Sequence, residues 1–105
     1  MYTQRRYIII MIKSFLDKET EKVFFQEYSR KIPRSIQRVA LRKLQMIDCA
    51  DCLSDLRVPP ANHLEKLSGD REGQWSIRIN KQWRIVFVPS DDETNYYNVS
   101  IVDYH

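Results

Sequence analysis

The sequence predicts an α+β domain in which two N-terminal helices pack on a small, mainly antiparallel, twisted sheet. Three observations predict it. Apolar residues recur with a helical period between residues 18 and 48, and the period becomes two from Trp75 onward. Between them, residues 49–73 follow neither period and carry the bends Pro59-Pro60 and Gly69-Asp70-Arg71-Glu72-Gly73. At 105 residues, with 43% hydrophobic and 30% charged residues, the chain has ordinary globular composition and room for one domain with a small core.

Residues 8–15 are apolar enough for a first strand. The start Arg5-Arg6 followed by Ile8-Ile9-Ile10-Met11-Ile12 superficially resembles a secretory leader. The run is too short, has no small-residue cleavage site and is interrupted by Lys13. No run approaches transmembrane length, so a soluble cytoplasmic protein is expected. Asp17 can cap a helix with Glu19 and Glu21 in its first turn, and Val23, Phe24, Phe25 and Tyr28 give that helix an apolar side. Pro33 suits the first turn of a second helix, where its missing N–H is no loss. Ile36, Val39, Ala40, Leu44 and Ile47 form one face of that helix, while Arg34, Arg38 and Arg42 step by four along another. Taken singly, each of these arginines is a solvated surface residue.

In the irregular stretch, His63-Leu64-Glu65-Lys66-Leu67 offers at most a short strand. Trp75, Ile77 and Ile79 then alternate with Ser76, Arg78 and Asn80, and Trp83, Ile85 and Phe87 alternate with Arg84, Val86 and Val88. A hairpin loop at Asn80-Lys81-Gln82 keeps both apolar sets on one side. It sets Ile79 against Trp83, Ile77 against Ile85, and Arg78 opposite Arg84. Like charges facing each other weaken a sheet by a few tenths of a kcal/mol to about one, so an anion between them is expected, phosphate above all. The alternative is screening by solvent and nearby carboxylates. A last strand runs through Tyr96-Tyr97-Asn98-Val99-Ser100-Ile101-Val102. Pairing Phe87 with Tyr97 across the acidic loop Asp91-Asp92-Glu93 sets Arg84 opposite Ser100, with Tyr104 further along the arginine-bearing face. Strict alternation sends Asp103 and His105 to the other face unless the strand ends or twists near Val102.

Two further features bear on chemistry. Asp103-Tyr104-His105 places an imidazole beside a carboxylate and a phenol, groups able to accept and donate protons near neutrality. Considered alone, a histidine in that place is an exposed and idle residue. Cys49-Ala50-Asp51-Cys52 is a lone C-x-x-C with no second pair and no histidine at zinc-finger spacing, so it reads as two reduced thiols at a helix end. No metal site or cofactor is implied. The formal charge of +3 makes the whole molecule only mildly attractive to polyanions, so any basic face depends on how the arginines are distributed.

Several segments together resemble the HigB toxins of the RelE superfamily. They are Met11-Ile12-Lys13-Ser14-Phe15, Asp55-Leu56-Arg57-Val58-Pro59-Pro60-Ala61-Asn62, Gly69-Asp70-Arg71-Glu72-Gly73, Trp75-Ser76-Ile77-Arg78-Ile79-Asn80, Trp83-Arg84-Ile85 and Val102-Asp103-Tyr104-His105. The resemblance implies a RelE-like, microbial-ribonuclease-type fold over residues 11–105, with residues 1–10 as an alternative start or a lengthened first strand. It implies the toxin of a type II toxin–antitoxin pair that cuts mRNA in the ribosomal A site without a metal. His105 would be the main acid or base, Tyr104 a proton donor or stacking surface, and Asp103 an orienting carboxylate, with Arg84 and Arg78 clamping the phosphate. Arg34, Arg38, Arg42, Lys66 and Arg71 would meet RNA or ribosome. The partners implied are the ribosome, mRNA and a HigA-type helix-turn-helix antitoxin.

Ser68 stands where many relatives place a lysine, with Lys66 nearby as a substitute. His63 stands where relatives often carry arginine, and some carry a histidine at the place of Glu65. Other functions on the same fold are a gyrase-targeting ParE-like toxin or a non-catalytic RNA-binding module, both of which generally lack the Asp-Tyr-His ending. A stand-alone ribonuclease is disfavoured by so sparse a site, since positioning by the ribosome is worth roughly 7–11 kcal/mol of barrier.

Overall fold

Asp17 starts the first helix as expected. In the computed structural model, which describes residues 11–104, its carboxylate accepts from the Thr20 amide at 2.7 Å and caps α1 (Lys18–Phe24). Val23 and Phe24 are buried, but Phe25 and Tyr28 are exposed, contrary to the expected apolar side. The helix stops before it reaches them. Gln26 takes a left-handed backbone with φ 64°, and the amides of Gln26 and Glu27 bond back to the carbonyls of Val23 and Lys22 at 3.0 and 2.7 Å. These paired bonds close the helix end and turn the chain out of the helical path.

Pro33 is the residue immediately before α2 (Arg34–Asp48) rather than inside its first turn. Ile36, Ala40, Leu44 and Ile47 are buried, Val39 half so. Each fully buried aliphatic side chain of this kind stabilises the fold by about 1.5–3 kcal/mol. Two charged residues share the buried side, Lys43 and Asp48. The Asp48 carboxylate accepts from the amides of Met11 and Ile12, both at 2.8 Å. It ties the end of α2 to the start of the described chain.

Residues 49–73 form three 3₁₀ turns, Leu53–Arg57, Pro60–Asn62 and Gly69–Arg71, with the two-residue strand β1 (Glu65–Lys66) between them. Three longer strands follow: β2 (Trp75–Arg78), β3 (Trp83–Pro89) and β4 (Tyr96–Asp103). The order across the sheet is β1-β2-β3-β4, all antiparallel. Of the first strand expected over residues 8–15, residues 8–10 lie outside the described residues. Residues 12 and 15 make isolated parallel bridges to Tyr96 and Val99, with Lys13 donating to the Tyr96 carbonyl at 2.8 Å and Leu16 to that of Val99 at 3.0 Å.

The β2–β3 register is the expected one, Ile77 opposite Ile85 and Arg78 opposite Arg84. The β3–β4 register is not. Arg84 faces Val102 rather than Ser100: Tyr97 pairs with Val88 rather than with Phe87, one residue off, and a bulge between Val86 and Val88 shifts the pairing by one more. Asn98 sits there with φ 53°, and the two residues Asn98 and Val99 oppose Phe87 alone. Ile77, Ile85 and Ile101 pack with α2 into one core that also takes Phe87, Tyr96 and Val99. No helix among the described residues is long and apolar enough to cross a membrane.

Candidate active site

Alternation along β2 and β3 sends Ile77 and Ile85 to the helices, and therefore Ser76, Arg78 and Arg84 to the opposite face. Arg84 is only 9% exposed. Its guanidinium donates to the Ser76 hydroxyl at 2.7 Å, lies 3.3 Å from the Glu65 carboxylate, and stands over the Tyr104 ring at 5.2 Å. A buried charge needs such partners, and three different kinds of group supply them. Arg78 lies directly across the ladder, with its Nε buried and without a hydrogen-bond partner among the described residues. The two arginines, Glu65, His63 and Leu64 line an open cavity of 360 Å³. Two guanidiniums side by side at an open cavity form a site for an oxyanion.

The cavity wall is held from behind. Asn62 is fully buried; its amide donates to the carbonyls of Leu56 at 3.1 Å and Val58 at 3.4 Å, and its oxygen accepts from the Lys43 amine. Burial, with the nearby Arg42 charge as a smaller cause, pushes the Lys43 amine below its ordinary pKa. His63 follows with a left-handed backbone, φ 46°, and carries the chain into β1. Alternation in β1 then separates Glu65, opposite Ser76, from Lys66, opposite Trp75. Glu65 therefore meets the arginines, and Lys66 does not.

The other residues expected to act lie elsewhere. Asp103 pairs opposite Trp83, which packs against the core, so its carboxylate is off the arginine face and accepts from the Gln82 amide at 3.1 Å. His105 lies outside the described residues. Arg71 is exposed in a turn, 3.3 Å from Gln74. Arg34, Arg38 and Arg42 are all exposed along α2, Arg34 over the Tyr28 ring at 5.9 Å. Both cysteines are free thiols, Cys49 closing α2. Among the described residues no three of His, Cys, Asp and Glu gather closely enough to hold a metal ion.

The α+β domain, two helices on a four-stranded antiparallel sheet, is a fold shared with solved bacterial toxin structures. In fold the chain is similar to the YoeB-YefM complex from Staphylococcus aureus, with TM-score 0.52, 21% identity, and 91% of this chain and 97% of that one covered. It is equally similar to the YoeB/ParE toxin from Agrobacterium tumefaciens, with TM-score 0.52, 17% identity and coverage of 91% and 99%. Sequence narrows the class. The HigB-like toxin family, described as RelE-like toxin of type II toxin-antitoxin system HigB, matches residues 13–105, and the chain belongs to it. Toxin HigB-1 of Vibrio cholerae is 44% identical over 79 residues, 73% of this chain and 82% of that protein. Endoribonuclease HigB of Proteus vulgaris is 35% identical over 96 residues, 90% of this chain and 100% of that protein.

The sequence reading missed Glu65 and His63 as cavity residues and Ser76 as the hydroxyl that holds Arg84. Ser76 could have been found, since it stands two residues before Arg78 on the same strand face and pairs beside Arg84's neighbour Val86. Glu65 had no such signal, because a two-residue strand carries no readable period.

Proposed function

We propose that this toxin is a ribosome-dependent endoribonuclease that cuts mRNA in the A site. The ribose 2′-hydroxyl attacks the adjacent phosphorus, the bond to the 5′ oxygen breaks, and the products are a 2′,3′-cyclic phosphate and a free 5′-hydroxyl. The observation that carries the reading is the buried Arg84, oriented by Ser76 and Tyr104 and faced by Arg78. Such a pair stabilises the charge that develops on the phosphorane oxygens. His105 moves the protons, Tyr104 stacks on the substrate or donates a proton, and no metal enters the reaction; Asp103 stands off the arginine face and takes no part at the phosphate itself. The name of the Proteus vulgaris relative supports nuclease chemistry.

Arg34, Arg38 and Arg42 meet ribosomal RNA, with Lys66 and Arg71 as further RNA contacts. A HigA-type helix-turn-helix antitoxin neutralises the toxin in the cytoplasm. Purified toxin added to ribosomes programmed with mRNA should cut that mRNA, give a cyclic phosphate end, and fail when the attacking 2′-hydroxyl is replaced by hydrogen. Cleavage of the 2′-deoxy substrate, or a gyrase effect without mRNA cleavage, would contradict the reading.

A further inference from the structure

We infer that Glu65 tunes the Arg78–Arg84 cavity to accept phosphodiesters and to discriminate against phosphate monoesters. The inference rests on the phosphate-clamp reading above and goes beyond it by giving a role to a carboxylate that the reaction scheme leaves unused. Two guanidiniums alone would match a dianion, and would favour the terminal phosphates of nucleotides over the internal linkages of RNA. Glu65 changes that balance. Its carboxylate stands 3.3 Å from Arg84, and its side chain is 55% exposed while that of Arg84 is 11% exposed. The negative charge therefore sits at the mouth of the site, against the buried cation, where an entering phosphate must arrive.

Of the cavity residues, the two guanidiniums of Arg78 and Arg84 and the carboxylate of Glu65 together leave one net positive charge. A phosphodiester carries one negative charge. A monoester carries nearly two at neutral pH, its second ionisation lying near about 6, and its extra charge would face the Glu65 carboxylate inside a partly desolvated cavity. Arg78 fits the same account: it lines the cavity directly across the ladder from Arg84, where its guanidinium meets the diester's second non-bridging oxygen. The register explains why Glu65 is the residue that acts, since β1 pairs Glu65 with Ser76, the hydroxyl that orients Arg84.

The test uses two ligands that differ by one methyl group and cannot be cleaved, thymidine 3′-phosphate and its methyl ester. Their Kd values are measured by NMR titration on the intact protein at about pH 7.5, where the monoester is mostly dianionic. Wild-type protein should prefer the methyl ester. Glu65→Gln removes the charge but keeps the size, and should shift the ratio of the two Kd values roughly tenfold toward the monoester, the effect of one charge at close range that is largely screened by solvent. At about pH 5 the monoester loses its second charge, and the wild-type preference should vanish. An unchanged ratio in Glu65→Gln, or a wild-type preference that persists at the lower pH, would overturn the inference. Arg84→Ala should lose both ligands. If it retains both, or if wild-type protein binds neither, the clamp itself is wrong, a failure distinct from that of the Glu65 role.

Discussion

The two faces of β2 and β3 are built from neighbouring residues and differ in kind. Toward the helices stand Ile77 and Ile85, both fully buried among aliphatic side chains. Toward the cavity stand Ser76 and Arg84, almost as buried, but joined by a hydrogen bond, an ion pair and a ring contact rather than by shape. The first face derives its stability from removing apolar surface from water. The second holds two like charges together on one ladder, which a sheet selected for stability alone would avoid. Burial by itself therefore does not mark the core of this protein. The chemistry of what surrounds a buried residue does.

His105→Gln should show the largest effect. The amide keeps approximate size and hydrogen bonding but cannot titrate, so single-turnover cleavage on ribosomes should fall by roughly two to four orders of magnitude. A wild-type rate would leave Tyr104 and the arginines to carry the chemistry. Next comes Ile85→Ala, one residue from Arg84 in sequence and on the opposite face. Leaving a cavity in the core, it should lower unfolding free energy by about 2–5 kcal/mol in a denaturant titration. A loss below one kcal/mol would mean that the helix-facing side is not the stability-determining face.

Tyr96 offers a smaller effect that pH reveals. Burial, with Glu93 as the next cause, raises its phenol from 10.0 to about 12. The folded state therefore holds the proton over a window in which the unfolded chain has lost it. That stability is complete below pH 10.0 and is lost as pH rises toward about 12, a difference of roughly 2 kcal/mol. Tyr96→Phe has no proton to lose, so its melting temperature should fall less steeply across that range than that of the wild type. Equal slopes would remove the buried phenol as the cause. Smallest is the α2 stripe: replacing Arg34, Arg38 and Arg42 by alanine should weaken ribosome binding modestly and flatten its salt dependence. Unchanged affinity would make the stripe an ordinary solvated face.

How much of this was legible depended on the length over which a pattern repeats. The β2–β3 register was readable because a three-residue loop and two alternating strands leave few alternatives, and it placed Arg78 against Arg84. The β3–β4 register was not, because the loop leaves Tyr97 against Val88 rather than Phe87 and the left-handed Asn98 then slips the ladder by one more, and nothing about an asparagine in a strand announces a bulge. The α1 face was overread for a similar reason, since Gln26 ends the helix without a glycine. Lys43 was open to a better reading: it stands seven residues after Ile36 and four before Ile47, on the apolar stripe itself, a position where a charged residue calls for a buried partner. Arg84 and Arg78, both singled out in the sequence, line one cavity with the Tyr104 ring against Arg84, whereas the short β1 hid Glu65. Alternation also separated Asp103 from the arginines, as strict period two requires.

The central claim is that the polar face exists for chemistry and not for folding, and Arg84→Ala tests it most directly when cleavage and stability are measured on the same preparation. The account predicts a folded protein with a cooperative unfolding transition close to that of the wild type and a ribosome-dependent cleavage rate lower by about 100- to 1,000-fold, the usual cost of removing one preorganised charge stabiliser. Wild-type cleavage by the folded variant, or loss of activity that tracks loss of the fold, would contradict it.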